Sequence, residues 1–126
     1  MVSLFSFMAH ILDIVGYFLL ALRPKQWLKN ALVFIPLAFS GSFHSGEKIG
    51  ESLLAFVLLC GLSSATYLYN DIRDRHDDRK HPKKSLRPIA AGKLSPIIAG
   101  FGACLLGAGM IFLATNVFEV LIGSIF

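Results

Sequence analysis

A largely apolar run of roughly twenty residues, Ile49–Tyr69, carries one charge, Glu51, beside Ser52 near its start and then passes directly into Asn70-Asp71-Ile72-Arg73-Asp74-Arg75-His76-Asp77-Asp78. A helix of that length matches the hydrocarbon thickness of a bilayer. The run therefore predicts a membrane helix, and with its neighbours an all-α fold. The acidic stretch would then sit at the membrane surface.

Three further apolar segments flank this one. Ser3–Leu22 carries Ser6, His10, Asp13 and Tyr17 as a polar stripe at helical spacing, the pattern of an amphipathic helix lying in the interface or packed on neighbours. It lacks the basic start and small-residue cleavage site of a signal peptide. Trp27 to about Phe43 reads as a membrane segment kinked by Pro36. Leu94–Phe126 reads as one full span and the start of another, divided by a polar break at Thr115-Asn116. The expected architecture is an integral-membrane helical bundle of three or four spans plus the N-terminal amphipathic helix.

Charge is concentrated in one place. Eight of the twelve Lys and Arg residues and four of the eight acids fall between Asp71 and Lys93. The net charge of +4 therefore describes one basic loop, which argues against a nucleic-acid partner. Arg23, Lys25 and Lys29 precede the second segment, whereas 41–48 holds a single Lys. The positive-inside rule puts both basic stretches on the cytoplasmic side and the 41–48 loop outside.

On a helix, Asp71, Asp74 and Asp78 are spaced by three and four residues, so their carboxylates share a face. Like charges so placed call for a cation between them. Mg²⁺ suits such a site, because it binds through one or two carboxylates plus substrate phosphates. A competing reading is a solvated helix end, with Asp71–Arg75 and Arg73–Asp77 as i,i+4 ion pairs. Downstream, His81-Pro82-Lys83-Lys84-Ser85-Leu86-Arg87-Pro88-Ile89-Ala90-Ala91-Gly92 supplies phosphate donors on a loop stiffened by two prolines. The competing reading there is a polybasic patch for anionic lipid. Cys60 and Cys104 lie in apolar segments and read as small buried hydrophobes. His10, His44, His76 and His81 have no metal-ligand spacing.

Together these motifs carry a resemblance. Asn70-Asp71-x-x-Asp74-x-x-x-Asp78 is similar to the first Asp-rich motif of the UbiA-type membrane prenyltransferases, and Arg87-Pro88-Ile89-Ala90-Ala91-Gly92 to the element that follows it. Arg23-Pro24-Lys25-Gln26-Trp27-Leu28-Lys29-Asn30 and His81-Pro82-x-Lys84-x-x-Arg87-Pro88 resemble the phosphoribosyl-transferring branch of that family. Lys83 and Ser85 depart from the Thr and Arg of that branch. The resemblance implies that residues 1–126 form the N-terminal part of a single UbiA-like transmembrane domain, with 70–93 as its cytoplasmic loop. It also implies a bacterial inner-membrane enzyme with its active face cytoplasmic.

By position, Asn70 and Asp74 would ligate Mg²⁺, with Asp71 and Asp78 supporting the metal-diphosphate. Lys25, Tyr67, Lys84 and Arg87 would contact donor phosphates. The implied donor is 5-phosphoribosyl diphosphate and the implied acceptor a polyprenyl phosphate. Alternatives are prenyl transfer from a polyprenyl diphosphate to an aromatic or lipid acceptor, and a non-enzymatic small membrane protein that binds anionic lipid. The family's second Asp-rich motif has no counterpart here, since Glu119 is the only acid after Asp78. The chain therefore reads as the N-terminal half of a longer enzyme, inactive by itself.

Overall fold

The computed structural model describes residues 3–125, without the side chains of Ser42, Leu121, Ser124 and Ile125. Helix α1 spans Leu4–Ala21, α2 Ile35–Phe39, α3 Gly46–Arg73, α4 Arg75–Asp78 and α5 Pro96–Ile125. A long 3₁₀ segment, Pro24–Phe34, joins α1 to α2. The described residues contain no strand. Three helices, Leu4–Ala21, Gly46–Arg73 and Pro96–Val120, are long and apolar enough to cross a membrane. Large side chains such as Phe101, Leu105 and Phe112 point outward from α5, as expected where lipid, not water, is the surrounding solvent. The protein is an all-α membrane bundle.

Local chemistry accounts for the boundaries. Ser3 and Ser45 cap α1 and α3, each accepting a backbone N–H three residues on, from Ser6 at 3.2 Å and from Lys48 at 3.3 Å. After α1, Arg23 takes a left-handed conformation with φ 55°. Pro24 then opens the 3₁₀ segment, where its missing N–H costs nothing.

The 3₁₀ segment runs antiparallel to α3 in a definite register. Arg23 meets Asp71, Trp27 meets Ser64, Asn30 meets Cys60, and the Phe34 ring lies 5.5 Å from that of Phe56. Eleven residue steps from Arg23 to Phe34 thus cover the same length as fifteen steps along α3 from Asp71 back to Phe56. At about 2.0 Å rise per 3₁₀ residue and 1.5 Å per α residue, both come to about 22 Å. The stretched helix type is what keeps the two in step.

This revises the expected kinked helix over Trp27–Phe43. The segment is 3₁₀ up to Phe34 and α-helical only over the five residues Ile35–Phe39, with Pro36 in the first turn where proline is tolerated. The segment from Pro24 to Phe39 still spans about 30 Å. Because Arg23 lies at the Asp71 end of α3, the chain must travel the length of that helix to re-enter it at Gly46. The two basic stretches therefore share one end of the bundle.

Helix α5 packs antiparallel on α3. Ile72 faces Gly100, Ala65 faces Gly107, and Met110 lies against Gly61. A Cβ on Gly61 would overlap the Met110 side chain, which would have to move to admit it. The polar break expected at Thr115-Asn116 does not occur: α5 is continuous through it. Thr115 Oγ1 and Asn116 Nδ2 both donate to the Phe112 carbonyl, at 2.8 and 2.7 Å, so their side chains are satisfied within the helix. Cys60 is buried as expected, but Cys104 is exposed on α5.

The core sits at the Asp71 end of the bundle. Ala21, Leu68, Ile89, Leu94 and Ala99 are buried together, with Ile14, Tyr17, Phe18 and Ile72 against them. Ile89 and Leu94 bring the loop between α4 and α5 into this core. That loop is tied further by Arg79 Nε donating to the Ala90 carbonyl at 2.9 Å, and by Lys93 and Leu94 N–H groups donating to the Pro88 carbonyl. Helix α1 joins the core through its C-terminal half, while residues 3–13 are exposed.

Candidate active site

The polar end of α3 meets the anchored loop and the α1 terminus at Asp71. Helix α3 ends at Arg73, and α4 begins at Arg75 after a one-residue break at Asp74. The backbone ladder survives the break, with Asp74 N–H donating to the Asn70 carbonyl and Asp78 N–H to the Asp74 carbonyl, each at 2.8 Å. The near-helical path keeps Asp71 and Asp78 on one side. Both are buried.

The two buried carboxylates converge on a single nitrogen of Arg87. Its Nη1 donates to Asp71 Oδ1 at 3.3 Å and to Asp78 Oδ2 at 3.2 Å. Arg23 Nη2 donates to the same Asp71 oxygen. An alternating chain results, Arg23–Asp71–Arg87–Asp78, with two positive and two negative members. Buried charges are tolerated only when paired and hydrogen-bonded in this way. The Arg23 guanidinium also lies over the Tyr67 ring, 4.5 Å from its centroid.

Asp74 is different. Its side chain is 42% exposed, against 2% for Asp71 and 5% for Asp78. Arg73 Nε donates to Asp74 Oδ1 at 3.1 Å, and this bond, with the nearby charges of Lys84 and Arg87, holds the carboxyl below the usual carboxylate range despite some desolvation. Asn70, one helical turn earlier, is half-buried. Lys25 is exposed, two residues after Arg23. Lys84 is also exposed, and its backbone N–H donates to His81 Nδ1 at 3.2 Å, as does that of Lys83 at 3.1 Å.

The geometry sorts the expected residues into two groups. Asp71, Asp78, Arg87 and Tyr67 come together in the ionic chain or against it. Asp74 stands outside it as an accessible carboxylate, with Asn70 a turn away and Lys84 close enough for its charge to be felt. The i,i+4 pairs of a solvated helix end do not form among the described residues: Arg75 Nη1 donates instead to the Ile72 carbonyl at 2.6 Å, and Arg73 pairs with its neighbour Asp74. Among those residues, no three His, Cys, Asp or Glu side chains gather as a metal cage built from protein alone would require.

Arg23 and Ser64 escaped the sequence reading as site-forming residues. Ser64 Oγ accepts from Trp27 Nε1 at 2.8 Å and donates to the Leu22 carbonyl at 2.7 Å, locking the α1 terminus beside the ionic chain. Arg23 offered one signal, a basic residue between an apolar helix and a proline.

A model of the UbiA prenyltransferase family matches residues 31–125. The chain is 46% identical over 102 residues to a decaprenyl-phosphate phosphoribosyltransferase of Corynebacterium glutamicum, covering 76% of this chain and 30% of the relative. It is 41% identical over 110 residues to the protein of that name from Mycobacterium tuberculosis, covering 81% and 36%. It is 42% identical over 86 residues to the nodulation protein NoeC of Azorhizobium caulinodans, covering 68% and 27%. The chain spans about a third of the length of the curated relatives it matches. With three-quarters of its residues matched and a helical membrane bundle as its fold, this chain belongs to the UbiA prenyltransferase family.

Proposed function

We propose that the whole protein transfers 5-phosphoribosyl from its diphosphate donor to a polyprenyl phosphate at the cytoplasmic face, and that the Asp71 end of this bundle holds the donor diphosphate. One observation carries the reading: an accessible carboxylate, Asp74, lies within electrostatic reach of Arg87, whose position is fixed by two buried carboxylates. The identity with two decaprenyl-phosphate phosphoribosyltransferases supports the choice of substrates.

The donor set fits Mg²⁺. That ion binds through few protein oxygens and keeps water and phosphate ligands, and Asp74 and Asn70 offer one carboxylate and one amide oxygen a helical turn apart. Asp71 and Asp78 are committed to arginines, so their role is to hold cations of the protein. When bound, Mg²⁺ would neutralise charge on the leaving diphosphate.

Within this site Arg87 offers donors to a phosphate, and the exposed Lys84 and Lys25 would add positive charge to it. These cations stabilise the negative charge that develops as the ribose C1–O bond to diphosphate breaks. An oxygen of the lipid phosphate forms the new C1–O bond from the opposite face, and diphosphate departs. The apolar spans beside the site keep the lipid's chain in the bilayer while its phosphate reaches the surface.

The deciding experiment supplies the whole protein, in vesicles, with polyprenyl phosphate and either 5-phosphoribosyl diphosphate or a prenyl diphosphate. Phosphoribosylated lipid, formed only with Mg²⁺, is the expected product. Transfer from the prenyl diphosphate alone would replace this reading with a prenyl-transfer one.

A further inference from the structure

Asp71 Oδ1 accepts from two arginines on different parts of the chain, Arg23 at the end of α1 and Arg87 in the loop. The two do not play the same part. Arg87 uses only Nη1, whose two hydrogens go to Asp71 and Asp78. Its Nε–H and Nη2 groups carry no described bond, and its side chain is 30% exposed. The unspent edge is the one that pairs with a phosphate in bidentate fashion. Arg23 holds its guanidinium over Tyr67 and reaches Asp71 from a left-handed backbone, a conformation disfavoured for a non-glycine residue.

A buried carboxylate takes up whatever positive charge is within reach. With Arg23 present, Asp71 is neutralised from two sides and needs only one hydrogen from Arg87. Without Arg23, Arg87 is the remaining cation paired with Asp71, and the bidentate pairing that Asp71 would then draw from it consumes the edge left for a ligand. We propose that Arg23 is a positioning residue: by neutralising Asp71 it leaves the Nε/Nη2 edge of Arg87 available to a phosphate of the donor. This rests on the donor-site reading above and deepens it. It also gives Asp71 a role distinct from that of Asp74, as an anchor for arginines.

The test measures binding of inorganic diphosphate and of 5-phosphoribosyl diphosphate to the whole protein in nanodiscs at fixed Mg²⁺, and the Mg²⁺ midpoint for that binding. Arg23→Gln should weaken both ligands about tenfold, the scale of one charge-assisted hydrogen bond, and leave the Mg²⁺ midpoint where it was. Arg23→Lys, which keeps the charge, should bind nearly as well as the parent. Adding Asp71→Asn to Arg23→Gln should restore most of the lost affinity, because the charge that captures Arg87 is gone while Asp78 still holds Nη1. Asp71→Asn alone should be mild. A double variant that binds as poorly as Arg23→Gln, or worse, would overturn the positioning role and make Arg23 a direct contact or a fold-supporting residue. If Arg87→Gln also leaves diphosphate binding unchanged in a folded protein, the donor-site reading falls, and this role for Arg23 with it.

Discussion

Trp27 Nε1 donates to Ser64 Oγ at 2.8 Å, and the same hydroxyl donates to the Leu22 carbonyl at 2.7 Å. One side chain therefore sets where the 3₁₀ segment lies along α3 and where α1 ends. The register is what brings Arg23 to Asp71, seven residues further along α3. Ser64→Ala would leave the indole N–H and the Leu22 carbonyl without this partner, at a cost of about 1–3 kcal/mol for a buried group left unpaired. Thermal unfolding in detergent should show a lower Tm, and the emission of Trp27, the one tryptophan, should shift. An unchanged melting curve would mean that the hydroxyl does not hold this register.

The shared end of Arg23 and Arg87 makes a topological prediction. Cysteines introduced at Ser85 and at His44 should label from opposite sides of the membrane, Ser85 from the cytoplasm and His44 from outside. The native Cys60 and Cys104 are replaced by alanine for the experiment. Labelling of both sites from one side would be incompatible with a 3₁₀ segment that crosses.

Asp74→Ala should lower turnover of the whole enzyme by about a hundredfold or more, the loss seen when an electrostatic stabiliser is removed. Its carboxylate is partly exposed and packs against nothing in the core, so expression and thermal stability should be unaffected. Asp78→Ala should do the reverse in part, since it leaves Arg87 with one buried partner fewer and should destabilise the fold as well. Equal effects of the two on stability would argue that both carboxylates are structural.

The hydrogen bond from Arg73 depresses the Asp74 pKa, so the carboxyl stays ionised below the ordinary carboxylate range near 4. Whatever Asp74 contributes is present above that range and is lost only as the pH falls through the depressed value. On the proposed Mg²⁺ site, Mg²⁺-dependent donor binding should therefore be flat from about pH 8 to about pH 5. In an Arg73→Gln variant the loss of Mg²⁺ response on acidification should begin at higher pH, which a titration of Mg²⁺-dependent binding would detect.

Arg87→Lys retains the charge but loses the planar fork, and should raise the donor KM appreciably. Lys84→Arg should be milder, because Lys84 is an exposed point charge with no fixed partner for its ammonium among the described residues. Neither should change the KM for polyprenyl phosphate by a comparable factor. Kinetics with each substrate varied in turn decide this, and an Arg87→Lys defect confined to the lipid would reassign the loop to the acceptor.

The sequence by itself determined that α3 and α5 are membrane helices, because long uninterrupted apolar runs leave the backbone no other way to satisfy its hydrogen bonds in lipid. It also determined that the acidic and basic motifs lie together at one end, since charge asymmetry and the short 41–48 loop admit a single arrangement of the two middle segments. Helical spacing put Asp71, Asp74 and Asp78 on one face; Asp71 and Asp78 do come together across the break between α3 and α4, but Asp74, at that break, stands apart and exposed. What spacing does not carry is the identity of a partner from a distant segment. Only the tertiary structure decided that Asp71 answers to Arg23 and Arg87 while Asp74 stays accessible, because that depends on how far a 3₁₀ segment advances against an α-helix and on the burial of Ile89 and Leu94, which fixes the loop. The helix type of 24–34 and the continuity of α5 through Thr115 and Asn116 were equally beyond the pattern of residues. The first turns on Trp27 and Ser64, which meet only once the chain is folded, whereas the second is local, Thr115 donating to the Phe112 carbonyl one turn back in the same helix.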